Sequence, residues 1–175
     1  MKKFFTVIVA AFVAVAAHAQ FYAGGSLSFH SGDNSRIYVA PEAGYNFNDN
    51  FAAGAVVSLD HSKDIATILS LSPYIRWTFA DWAPVKFFLD GGLMFDSVSL
   101  DEKTWGESKT YSAIEVGVKP GIAVPLNESL QLVAHLGFVG VCAADDNLQR
   151  LYGYDDGVVA YLGSKDLSIG IFYCF

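Results

Sequence analysis

Basic residues are scarce in this sequence: 11 Lys and Arg face 18 Asp and Glu, for a formal charge of −7. They form neither a run nor a stripe. Such a chain is a poor nucleic-acid binder, because that affinity rests on neutralising phosphates. Long apolar runs are missing beyond residue 20. A spanning helix needs roughly 20 apolar residues, so any membrane crossing by the rest of the chain must be made by strands. Cysteine is limited to Cys142 and Cys174. The strand assignment below sets them at opposite ends of neighbouring strands, roughly tens of ångströms apart, whereas a disulfide limits the Cα separation to about 7 Å. No intramolecular bridge is expected. Helical periodicity is lacking too, and Gly24-Gly25 and Gly91-Gly92 sit within strand patterns, not in phosphate-cradling turns.

What is present begins with an export signal. Lys2 and Lys3 precede an apolar stretch from Phe4 to Ala17, and Ala17-His18-Ala19 has the small-residue form of a cleavage site. The stretch is too short to span a bilayer as a helix. Residues 1–19 are read as a cleaved signal peptide and residues 20–175 as a single domain starting at Gln20. No cysteine follows the cut, so a lipidated N-terminus is not expected.

Beyond residue 20 the apolar residues alternate with a period of two, the mark of strands with two unlike faces. Ile37, Val39, Pro41, Ala43, Tyr45 and Phe47 share one face of a run whose other face carries Arg36, Tyr38, Glu42 and Asn46. Asn48-Asp49-Asn50 supplies turn chemistry before the next run, 51–60. Equivalent runs cover 21–30, 66–79, 85–96, 110–125, 130–142 and the chain end, 157–175, with an interruption around Gly163-Ser164-Lys165. In the seventh run Leu132, Ala134, Leu136 and Phe138 are assigned to the apolar face. The count is eight antiparallel strands of about the length a tilted strand needs to cross a bilayer. Connections 48–50, 80–84 and 126–129 are short, whereas 97–109 and 143–157 are long and polar. Short turns on one side and long loops on the other predict an all-β, eight-stranded up-and-down transmembrane barrel with periplasmic termini.

Which face meets lipid follows from the second face. It is rich in Gly, Ala, Ser, Tyr and Phe, with isolated charges at Arg36, Glu42, Arg76, Lys86, Asp90, Glu115, Lys119 and Asp166. Nearly balanced signs suit a network paired inside a narrow lumen, and small residues suit an eight-strand interior. Tyr22, Tyr38, Tyr74, Phe88, Tyr111 and Phe172 would fill much of it. A soluble ligand-binding barrel would instead turn its apolar face inward. Aromatic residues cluster at the strand ends: Tyr45, Phe47, Phe51, Trp77, Phe79 and Trp82 near the short turns, with Tyr173 and Phe175, and Trp105, Tyr111, Tyr152 and Tyr154 toward the long loops. Such girdles favour a lipid-facing exterior.

These features, above all the chain end Ile171-Phe172-Tyr173-Cys174-Phe175, resemble the small outer-membrane barrels related to the OmpA transmembrane domain and to OmpX-like proteins. The resemblance covers the whole of residues 20–175. It implies that Ile171, Tyr173 and Phe175 are read by the barrel-assembly machinery. It also implies a surround of outer-membrane lipid and lipopolysaccharide in a Gram-negative cell. Pro41, Pro73 and Pro120 recur at one spacing in the second, fourth and sixth runs, although proline is disfavoured inside a paired strand. No peptidoglycan-binding domain is read, so a cell-wall tether is not implied.

Catalytic patterns are weak. His30-Ser31 and His61-Ser62, with Asp60 and Asp64, contain the residue types of a hydrolase but no nucleophile motif. His30, His61, Asp33 and Asp60 show no ligand spacing for a metal. The expectation is a barrel that is not an enzyme and has no cofactor or metal, with a structural or surface-interaction role through its long loops. A narrow porin-like conduit for small solutes is the alternative.

Overall fold

The computed structural model describes residues 21–30, 35–63, 65–101, 109–145, 148, 157–161 and 167–175. The expected signal peptide and Asp33, Asp64, Trp105, Tyr152, Tyr154 and Asp166 lie outside the described residues. The strand segments are β1 (Phe21–His30), β2 (Arg36–Asn46), β3 (Phe51–Ser62), β4 (Ala66–Trp82) and β5 (Val85–Leu100), then β6 (Thr110–Pro125), β7 (Leu130–Leu136), β8 (Phe138–Ala144), β9 (Gly157–Tyr161) and β10 (Leu167–Cys174). From β1 to β6 each segment pairs antiparallel with the next. Both β7 and β8 pair with β6, β9 pairs with β8, and β10 joins β7 to β1. The last four segments are therefore halves of a seventh and an eighth strand, and the sheet closes into an eight-stranded antiparallel barrel.

The two hairpin turns at 47–50 and 126–129 use one device. Asn48 Oδ1 accepts from the Asn50 and Phe51 amides, each at 2.9 Å. Asn127 Oδ1 accepts from the Ser129 and Leu130 amides at 2.9 and 2.8 Å. Asn thus copies a backbone turn and fixes the register of the strands it joins. The third connection is tighter than the 80–84 read from sequence, because β4 runs on to Trp82, which pairs with Val85.

One break in the wall changes a sequence assignment. Gly137 has φ 126°, a backbone conformation that glycine adopts without a Cβ penalty. The register passes from Gly121↔His135 to Val118↔Val139, so one extra residue is spent on the seventh strand. This is a β-bulge. A one-residue slip reverses the faces that follow. Phe138, assigned from sequence to the apolar outer face, is buried inside, and Val139 and Val141 point out.

The prolines share a second kind of interruption. The β2–β3 register runs to Val39↔Leu59 and resumes at Glu42↔Val56, skipping Pro41. The β4–β5 register likewise steps from Leu71↔Phe95 to Tyr74↔Gly92, skipping Pro73. Pro120 lies opposite the Gly137 bulge, between Val118↔Val139 and Gly121↔His135. Each remains paired on its other side, with Gly25, Ala55 and Leu89 respectively. The missing proline N–H thus coincides with a gap in the ladder, on the side of the following strand each time.

The barrel is inverted relative to a water-soluble one. Leu27, Ile37, Leu59, Leu71, Ile75, Leu93, Phe95, Ile114, Val116 and Ile169 all lie exposed on the outer wall. Glu42, Asp60, Arg76, Asp90, Asp96 and Glu115 are buried inside. A continuous apolar surface of this extent is unfavourable in water and matches hydrocarbon.

At the long-loop end the inner face turns apolar. Ala66, Val98, Leu100 and Ala113 bury together with Leu148, which is 0% exposed. Residues 97–100, assigned from sequence to a loop, are therefore wall: Ser97 pairs with Ser112 and Ser99 with Thr110. The alternation is disguised because the apolar side chains have changed face. Residues 143 and 144 likewise belong to β8.

Candidate functional site

Half-way down the lumen, a belt of charged and aromatic side chains crosses from wall to wall. Arg76 is its centre. It comes from β4 directly opposite Asp90 on β5, and the register pair becomes a two-pronged ion pair. Arg76 Nε donates to Asp90 Oδ1 and Nη2 to Asp90 Oδ2, both at 2.7 Å. Nη2 also reaches Glu42 Oε1 on β2 at 3.2 Å. His135 on β7 places Nε2 2.9 Å from Asp90 Oδ2. The Tyr74 hydroxyl donates to Glu42 and lies in close contact with the Tyr22 hydroxyl.

Rings pack around the guanidinium. Its carbon lies 4.1 Å from the Phe88 ring centre, 5.2 Å from that of Tyr74 and 5.7 Å from that of Tyr22. Planar, weakly hydrated guanidinium suits both the bidentate carboxylate and the ring faces in a way a lysine ammonium does not. Phe172 from β10 meets Tyr22 edge-on at 6.1 Å, completing the layer.

Glycines on neighbouring strands make room for these rings. A Cβ on Gly44 would lie 2.3 Å from the Tyr22 hydroxyl, and one on Gly54 2.5 Å from that of Tyr74. One on Gly121 would lie 2.2 Å from Phe88 Cζ, and one on Gly24 2.7 Å from Phe172 Cδ1. Each bulky ring of the belt thus lies flat over bare backbone.

The belt lies between two cavities. Below it, on the side of the short turns, is one of about 450 Å³ bounded by Arg76, Phe88, Phe172, Lys86 and Gln131. Above it is one of about 430 Å³ bounded by Glu42, Tyr74, Asp90 and His135 at its floor and by serines higher up.

Of the charges named from sequence, Arg76, Glu42 and Asp90 meet in the belt. Arg36 does not join them. It lies near the long-loop end, where its Nε donates to both Asp60 oxygens at 2.8 Å. Lys86 is at the lower rim, 3.6 Å from the half-exposed Asp81. Lys119 points into the upper cavity and rests its ammonium 3.7 Å from Met94 Sδ. Glu115 is buried in the same wall, and Asp166 lies outside the described residues. Sequence reasoning missed His135 and Asp60 as partners. Their inward parity was the available signal, since both fall on the polar face of their runs.

Among the described residues the hydrolase pattern does not assemble. Asp60 and Ser62 face inward and line the upper cavity, while His61 is on the exposed outer face and bonds Thr67 at 2.9 Å. The His30 side chain and Ser31 lie outside the described residues.

At the short-turn end the aromatic residues named from sequence touch in series. Tyr45 lies between Phe21, tilted at 4.9 Å, and Phe47, edge-on at 5.5 Å; Trp77 meets Phe79 at 5.7 Å, and Phe87 bridges Phe79 to Trp82. Phe51 is exposed beside them, opposite Trp77 in the register. Tyr173 meets Phe175 at 5.0 Å. Ile171, Tyr173 and Phe175 all point outward. The Phe175 amide donates to the Phe21 carbonyl at 2.9 Å, tying the last residue to the first strand. Tyr111, one of the rings placed toward the long loops, packs inside against the apolar cluster.

No protein-family model matches the chain, and none of the curated proteins matches it in sequence. Solved structures do. Neisserial surface protein A is similar at a TM-score of 0.60 and 16% identity, over 89% of this chain and 95% of that one. The N-terminal β-barrel domain of Pseudomonas aeruginosa OprF is similar at 0.58 and 13%, over 89% and 96%. A major outer membrane protein from Thermus thermophilus is similar at 0.53 and 16%, over 90% and 100%. The chain has the fold of the small outer-membrane β-barrels, as its resemblance to OmpA- and OmpX-like proteins implies.

Proposed function

We propose that this chain is an integral outer-membrane barrel, held shut by the Arg76 belt, that anchors a loop surface at the cell exterior. The belt carries the reading, because the Arg76 guanidinium that crosses the lumen is matched by carboxylates and ring faces. The apolar outer wall and the aromatic end support burial in lipid and lipopolysaccharide. The short turns, Phe21 and Phe175 share one end of the barrel, and this reading assigns that end to the periplasm. The connections that follow Ser62, Leu100 and Ala144 would then face outward, with 101–109 and 145–156 as the presented surface. The exposed Ile171, Tyr173 and Phe175 are offered to the barrel-assembly machinery during insertion. No catalytic, metal or cofactor role enters this reading.

A gated conduit for small solutes is the second reading, since a single layer of side chains divides the two cavities. Conductance across planar bilayers separates them. The sample is the refolded barrel, verified by a boiling-dependent shift in gel mobility. The shut barrel is expected to be electrically silent, and steady single-channel currents from the unaltered protein would overturn it.

A further inference from the structure

The upper cavity has features that the shut-barrel reading leaves unused. Its volume of about 430 Å³ falls among those of small-molecule sites. Seven of its lining residues are serines, and Tyr38 and Phe138 add aromatic wall. Carboxylates outnumber cations around it: Glu42, Asp60, Asp90, Asp96 and Glu115 against Arg36 and Lys119, with His135 at the floor.

Most of these charges have partners already described. Arg36 holds Asp60, and Arg76 holds both Glu42 and Asp90 from below. Glu115 differs. It is 3% exposed, it lines the cavity beside Asp96, and although its carboxylate shares a hydrogen bond with Cys142, its Oε2 has no hydrogen-bond partner among the described residues. Its register neighbour is Met94, and Met94 is where the Lys119 ammonium rests. A thioether is a weak acceptor, and the Lys119 ammonium that rests on it makes no hydrogen bond to that carboxylate oxygen. A buried acceptor without a donor bears its full desolvation cost, which a ligand's N–H would relieve.

We infer that the upper cavity binds a small organic ammonium, with its charge on Glu115 and its remaining polar groups on the serine wall. The acidic excess selects a cation over an anion. Among the described residues no three ligating side chains are grouped for a metal ion, which favours a hydrogen-bonding cation over a bare one. Tyr38 and Phe138 offer ring surface to its methylenes. Arg36 lines the cavity with a side chain that is 42% exposed, so the cavity meets solvent at the long-loop end. With the belt beneath it, the chamber is a dead end that retains its ligand.

The test is calorimetric titration of the refolded full chain in a non-ionic detergent with putrescine, and separately with succinate, of the same length and opposite charge. Saturable putrescine binding with no succinate binding is expected. Glu115→Gln should weaken it by about tenfold or more, the loss of a charge-assisted hydrogen bond. Glu128→Gln, on the exposed 126–129 turn, should leave it unchanged. Ser72→Leu, which fills the chamber from β4 and leaves the Glu115 carboxylate in place, should abolish it and guards against a Glu115 variant that does not fold. Absence of saturation at millimolar putrescine, equal binding of succinate, or indifference to both chamber variants would overturn the inference. A barrel that conducts yet binds putrescine through Glu115 would overturn only the shut reading. A silent barrel that does not bind would overturn only this one.

Discussion

The lower and upper halves of the lumen are built from the same alternating strands and reach opposite packing solutions. In the lower half, above the cavity of about 450 Å³ on the short-turn side, Tyr22, Arg76, Phe88 and Phe172 fill the cross-section, and the strands beside them supply glycine where the rings lie. In the upper half many of the inward positions are serines, among them Ser26, Ser58, Ser70 and Ser72, side chains too short to meet at the axis, and a chamber remains. The lower half is therefore closed by mutual dependence, every ring and charge needing its neighbour. The upper half keeps its chamber open, with serines set between separate contacts such as the Arg36–Asp60 pair and Lys119 on Met94. Substitutions should be felt strongly below and weakly above, and that asymmetry can be broken or sharpened by experiment.

The largest effect is expected at Arg76. Arg76→Ala leaves Glu42 and Asp90 buried without their cation, and breaking a buried pair by removing one member costs about 3–5 kcal/mol. Urea titration of the refolded barrel, read by its boiling-dependent mobility, measures this. Adding Asp90→Asn to Arg76→Ala should cost less than the sum of the two, because the second change removes a charge the first left stranded. Strict additivity, or a loss below about 1 kcal/mol, would mean water enters the belt freely and would erase the contrast between the halves.

How far the sequence alone reaches follows the same division. Inside–outside parity was readable for β2, β3 and most of β4 to β6, since apolar and polar residues alternate there without interruption. It failed at Phe138 because Leu136, Phe138, Val139 and Val141 are all apolar. A bulge at Gly137 therefore left no polar residue out of phase to betray it. It failed again at 97–100, where Val98 and Leu100 carry the apolar face inward beneath Leu148. The belt's members were recognisable as charges and rings on the inner face. Their partnerships were not, because Arg76 meets Asp90 through strand register and Glu42 across the lumen, while His135 reaches Asp90 from β7. Neither distance is encoded in local spacing. The prolines were visible as a repeat, and only the interrupted ladders beside Pro41, Pro73 and Pro120 give that repeat a physical meaning.

A middle-sized effect tests the ring-over-glycine packing. Gly121→Ala puts a methyl 2.2 Å from Phe88 Cζ and 2.8 Å from the Ala134 carbonyl, so the ring that covers Arg76 must move. Overpacking of this kind costs about 1–3 kcal/mol. Gly91→Ala is the matched control. It lies on the outer wall one strand away, where the new methyl's nearest neighbour is Val118 Cγ1 at an ordinary 3.9 Å. Equal urea midpoints for the two variants would show that the belt accommodates displacement and is not the rigid half.

The smallest effect belongs to the upper chamber. Ser70 is buried on β4, four residues above Tyr74 along the inward face, and it borders the open volume instead of a packed ring. Ser70→Ala removes a hydroxyl that faces the chamber and creates no new cavity wall, since the Cβ stays in place. The expected change is within about 0.5 kcal/mol, the range of substitutions away from packed or networked sites. The same urea titration measures it. A loss comparable with that of Gly121→Ala would mean that the serines form a bonded network as interdependent as the belt. The two halves would then differ in polarity but not in kind, and the chamber would be a structural polar core instead of space held open for a ligand.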